Sequence, residues 1–234
     1  MTAVPSSGEI DEVSLRKAVW LVAGMGALHA LLFLLSYGLL TSVPGAHAPD
    51  EEIVAFYQSG DRRRLILVGL YVMPFAGIAF LWFCMALRVW IRVGSSRANE
   101  LLAGMQLASG ILYVALFFAA AAASSVMAVS IEFSRSPVDP MVARQFPQFG
   151  GALLLVFAMR MAAMFVFTTS RLGRMSGALP VWFARFGLVI GLFLLLSASF
   201  NRALVLVFPL WLLAACVLLL VRRWRPPAEG ALIR

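Results

Sequence analysis

The sequence predicts an all-α fold: a polytopic bundle of six transmembrane helices with the N-terminus and the C-terminus both cytoplasmic. Three observations predict it. The 234-residue chain is 62% hydrophobic, with a mean hydropathy of +0.92, more apolar than a water-soluble surface allows. Its apolar residues gather into six runs: Ala18–Thr41, Leu65–Val89, Leu101–Ser130, Phe149–Ser170, Trp182–Phe200 and Ala203–Val221. A helix of about 20 such residues, rising about 1.5 Å per residue, crosses a hydrocarbon layer about 30 Å thick. A helix also satisfies its own backbone polar groups, as a lipid solvent demands. Finally, the basic residues are divided unevenly between the two sides that the runs define.

That division sets the expected orientation. Twelve of the 19 Lys and Arg residues fall on the side of the N-terminus, among them Arg16, Lys17, Arg88, Arg92, Arg171, Arg174 and Arg222. Six fall on the other side (Arg62, Arg63, Arg64, Arg135, Arg144 and Arg202), and Arg160 lies within a run. The positive-inside rule places the richer side in the cytoplasm. Trp20, Trp90, Trp182 and Trp224 mark the same border, as an interfacial aromatic belt does. The net charge of +8 is thereby explained by topology and anionic lipid headgroups, with no nucleic-acid partner implied. The chain divides into a cytoplasmic tail over 1–17, a transmembrane domain over 18–221 and a basic cytoplasmic tail over 222–234.

In order along the chain, the acidic tail with Glu9, Asp11 and Glu12 reads as loose. Ala46-His47-Ala48 resembles a signal-peptidase site, but the run before it is too long for a signal peptide, so an uncleaved anchor is expected. Between the first two runs, Asp50 is placed to cap a short amphipathic helix with Ile53, Phe56 and Tyr57 on one face. That helix is expected on the outer membrane surface, its acids pairing with Arg62–Arg64. Pro74 predicts a kink in the second run, because it frees the carbonyl of Leu70. The third run, rich in Ala and Ser from Ala115 to Ala128, is the expected central helix. Asp139-Pro140 predicts one short turn through Arg144 in the second outer loop. Gly187 and Gly191 give the fifth run a GxxxG packing motif. The last two runs form a hairpin at Asn201-Arg202, and Pro226-Pro227 reads as disordered.

Few residues offer chemistry. Arg160, eleven residues into its run, falls at the bilayer midplane, where insertion costs about 2.5–3.5 kcal/mol. No Asp or Glu lies within a run to pair with it. His29, Tyr113, Tyr71 and Ser109 count to a similar depth. Together, Arg160, His29, Tyr113 and Tyr71 form a candidate ligand-binding set for an anionic or strongly polar molecule. The competing reading is a buried Arg satisfied by carbonyls, hydroxyls and neutral His29. Cys84 and Cys216 read as core residues, since no C-x-x-C is present. Two His and no carboxylate in a run leave no zinc or di-iron site, no cofactor is expected, and no catalytic residue is assigned.

The segment Tyr57-Gln58-Ser59-Gly60-Asp61-Arg62-Arg63-Arg64 and the Leu179-Pro180-Val181-Trp182 start of the fifth run resemble those of uncharacterised bacterial six-pass integral membrane proteins. The resemblance implies architecture and a multi-pass place in a bacterial plasma membrane, and no chemistry. Two functional classes follow. One is a non-enzymatic membrane component, partnered by the lipid bilayer and by a second copy or an envelope protein. The other binds or transports a polar or anionic small molecule or lipid headgroup at a midplane site around Arg160.

Overall fold

A computed structural model describes residues 7–40, 43–45, 47–90, 97–197 and 202–221. Ala46, Asn201, the side chain of Trp90 and the C-terminal tail with Trp224 lie outside the described residues, as does the Pro226-Pro227 segment. Among those described there is no strand. The elements are α1 (Ser7–Leu40), α2 (Asp50–Gln58), α3 (Arg62–Leu67), a π-helical turn (Val68–Val72) and α4 (Met73–Trp90). They continue as α5 (Arg97–Ser134), α6 (Pro140–Ala152), a second π-helical turn (Leu153–Ala158), α7 (Met159–Met175), α8 (Val181–Leu196), a 3-10 turn (Arg202–Leu206) and α9 (Val207–Val221).

Five helical stretches are long and apolar enough to cross a membrane: Val19–Leu40, Arg62–Arg88, Asn99–Ser134, Pro140–Met175 and Ala203–Val221. The expected fifth run appears as the 16-residue α8, about 24 Å long, with residues 198–200 outside the description. Helix α1 starts at Ser7, so most of the tail expected to be loose continues the helix.

Prolines shape two of the rods without breaking them. The π turn Val68–Val72 ends one residue before Met73-Pro74. A π turn widens the helix by a residue and so absorbs the backbone conflict that proline creates with the turn before it. The short turn expected after Asp139 is instead the start of a continuous rod, running through Pro147 and the second π turn into α7. Asp139 does cap it: its carboxylate accepts from the Met141 and Val142 amides at 2.9 and 3.3 Å, with Pro140 at the first helical position.

Helix α5 is central, packing against α3, α4, α6 and α7, while α1 packs between α4 and α9, and α8 packs chiefly on α7. The GxxxG glycines are used inside the chain. A Cβ at Gly187 would collide with the Ser170 side chain, and one at Gly191 would lie 3.2 Å from the Ala163 carbonyl oxygen. These two contacts set α7 and α8 antiparallel and close. The main core is a stack of rings, with Phe80, Tyr113, Phe117 and Phe208 fully buried around His29 and Phe165 packed on Phe80 and Phe208. A smaller core lies under α2, where Ile53, Phe56 and Tyr57 meet Leu65, Met127 and Ala143. The apolar face of α2 is thus docked on the bundle.

Candidate functional site

The four residues singled out by depth occupy three different places. His29 and Tyr113 meet in the core. The Ala76 carbonyl can only accept, so His29 donates to it through Nδ1 at 2.8 Å. Nε2 is then left as the acceptor for the Tyr113 hydroxyl at 3.2 Å. Both side chains are fully buried, and this one chain of bonds ties α1, α4 and α5 together at their crossing. Tyr71 is 55% exposed and points away from the bundle.

Arg160 is half-buried and joins neither group. Its Nη1 donates to the Val156 carbonyl at 2.7 Å, within the π turn that precedes it. Three residues before Ala163, which Gly191 of α8 approaches, Arg160 lies one turn further along α7. A buried polar link between α5 and α7 escapes a depth count altogether: Gln106 Nε2 donates to Thr169 Oγ1 at 2.8 Å.

A partly open cavity of about 520 Å³ lies elsewhere, at the end of the bundle where α1 finishes and α9 begins. Each wall follows from local sequence. Helix α2 forms the roof because Ile53 and Tyr57 fall on one face of a helix whose start carries three acids, Asp50, Glu51 and Glu52. Phe33 and Tyr37 come from the last turns of α1, Phe117 and Ser124 from α5, and Met73 from the start of α4. Gly150 and Gly151 supply the α6 wall. Gly150 lies so close to the Ala120 carbonyl and Ser124 that a Cβ would clash, whereas Gly151 has open space at its Cβ position.

Polar groups line the cavity on several sides: Ser36 and Tyr37 on α1, Ser124 on α5, and Arg144 where its partner Asp50 reaches solvent. Arg144 Nη2 donates to Asp50 Oδ1 at 2.6 Å and to the Ala48 carbonyl at 2.8 Å, which ties α6 to the start of α2. Asp50 thus pairs with Arg144, and among the described residues the ion pairs of 62–64 go to other acids than those of α2: Arg62 binds Glu132 at 2.9 Å and Arg64 binds Asp61 at 3.2 Å. Nor does Asp50 cap α2, whose N-cap position is Pro49 with no side-chain bond. Arg144 Nε is buried without a hydrogen-bond partner. His47 and Gln148 also line the cavity. The Tyr57 hydroxyl donates to the Ala143 carbonyl at 3.5 Å. Burial pushes the Tyr57 pKa up to about 12, because the phenolate would lose its water.

An apolar chamber with a few polar groups and the Arg144 cation suits a molecule with a long apolar part and a small polar head. Neither Arg160, His29, Tyr113 nor Tyr71 is among the residues that line it. Arg144 was legible in the sequence only as a loop cation. Its partner lies 94 residues away, and no local pattern joins the two. Comparison with protein-family models, curated proteins and solved structures finds no match for this chain.

Proposed function

We propose that this chain is a non-enzymatic, six-pass protein of a bacterial plasma membrane, with cytoplasmic termini, that holds an acyl-chain amphiphile in the cavity beneath α2. The observation that carries the reading is the cavity itself. At about 520 Å³ it falls within the range of small-molecule sites, about 300–1,000 Å³, and an acyl chain matches the apolar wall of Phe33, Ile53, Met73 and Phe117. In the proposed orientation the cavity lies at the outer leaflet, where such chains are the solvent. The resemblance of the segment around Arg62–Arg64 to bacterial six-pass proteins supports the location. A ligand centred on Arg160 has less support, because Arg160 lies off the cavity and already bonds its own helix.

Gly151→Phe tests the reading. Its ring enters the open space at Gly151 and fills part of the chamber. Native mass spectrometry of the wild type, released gently from membrane, is expected to show a retained amphiphile that the variant lacks, and the variant is expected to melt higher once delipidated. A wild type with no adduct, alongside a Gly151→Phe variant that is destabilised, would overturn it.

A further inference from the structure

The mouth of the cavity carries a charge arrangement that a purely apolar container does not need. Arg144 is the cation that lines the chamber, and its side chain is 31% exposed. A guanidinium offers five donors. Here Nη2 serves both Asp50 and the Ala48 carbonyl, while Nε is buried with nothing to accept from it. A buried donor without an acceptor is costly, and Arg144 lies where an amphiphile's head would rest if its tail filled the chamber. Asp50 differs in one respect that matters: its side chain is 65% exposed. Released from Arg144, its carboxylate keeps most of the hydration it already has.

We infer that the cavity selects an amphiphile with an oxyanion headgroup, and that this headgroup takes the place of the Asp50 carboxylate on the Arg144 guanidinium. The inference rests on the amphiphile reading above and names the class of head. Exchange is required rather than addition. Arg144 already carries Asp50, and a further anion beside it would face that carboxylate with no second Lys or Arg among the residues that line the chamber. Swapping one anion for another keeps one counter-ion on the guanidinium, and the displaced Asp50 carboxylate stays at the start of α2, where its 65% exposure lets water screen it. In that exchange the headgroup takes the guanidinium edge that Asp50 vacates. Asp50 is thereby an internal competitor for the ligand, and its bond to Arg144 holds the roof helix in place while the site is empty.

Two substitutions should then act in opposite directions, which a merely structural latch cannot produce. The probes are palmitate, palmitoyl lysophosphatidate and uncharged monopalmitoylglycerol, each titrated against the purified full chain in detergent by native mass spectrometry. The wild type should hold the two anions about tenfold more tightly than the glycerol ester, the difference one charge-assisted bond supports. Arg144→Gln should lose that preference and keep its grip on the uncharged probe. Asp50→Asn should tighten both anions severalfold and leave the uncharged probe unchanged. The tighter of the two anions identifies carboxylate or phosphate as the head, and either ranking supports the inference. Equal affinity for all three probes, or weaker anion binding in Asp50→Asn, overturns the inference while the amphiphile reading stands. Failure of every probe to bind the wild type overturns both. Should Arg144→Gln not fold, the sign of the Asp50→Asn effect decides alone.

Discussion

His29 and Tyr113 show how a polar residue survives deep in an apolar bundle. Each hydrogen-bonding atom of the His29 ring has a partner, and the faces of the ring lie among Phe80, Phe117 and Phe208. Removing the Tyr113 hydroxyl leaves Nε2 without its donor. Tyr113→Phe is therefore expected to cost about 1–2 kcal/mol, read as a lower melting temperature in detergent; an unchanged midpoint would show that the bond contributes nothing. Counting residues from the run ends was enough to place His29 and Tyr113 at one depth, because helix rise is fixed. It could not tell which way a side chain points around the helix axis. Tyr71 therefore counted as a neighbour and faces outward, while Arg160 shares the depth but not the place.

At the scale of elements, α2 is the piece whose role changed most between sequence and structure. Its amphipathic pattern was legible, and so was its acidic first turn. What covers the apolar face was not: a stripe of Ile53, Phe56 and Tyr57 fits a lipid surface and a protein groove equally well. The buried Tyr57 hydroxyl makes the docking of α2 sensitive to alkali. Its pKa, raised to about 12 from an ordinary value of 10, means that the docked state holds the proton more firmly than the undocked one. Stability from this group is complete below about pH 10 and falls as pH rises from about 10 to 12. A fluorophore on Ser59→Cys, at the end of α2, should report undocking over that window, and Tyr57→Phe should abolish the pH dependence. A profile that Tyr57→Phe leaves intact would assign the transition to another group.

Over the whole molecule, the proposed six crossings make a prediction about sidedness. Cys84 and Cys216 are buried, so introduced cysteines report alone. Ser59→Cys and Ser136→Cys are expected to react with a membrane-impermeant maleimide in intact cells, and Ser176→Cys only after the membrane is opened. Labelling of Ser176→Cys alone from outside would reverse the orientation. Labelling of all three would mean that one of the helices does not cross.

The sequence by itself determined that the chain is a bundle of apolar helices, because run length and hydrophobicity are local quantities and a lipid solvent permits few alternatives. It also determined where α6 begins, since Asp139 and Pro140 act on the amides beside them. The tertiary structure alone decided that α6 and α7 form one rod, that α2 is a roof, and that Arg144 meets Asp50 across 94 residues at the mouth of a cavity. Those outcomes depend on which helix faces meet. Apolar side chains of similar size leave that choice open until glycines such as Gly150, Gly187 and Gly191 allow close approach at particular points. The void left between helices that do not meet is written in no single segment.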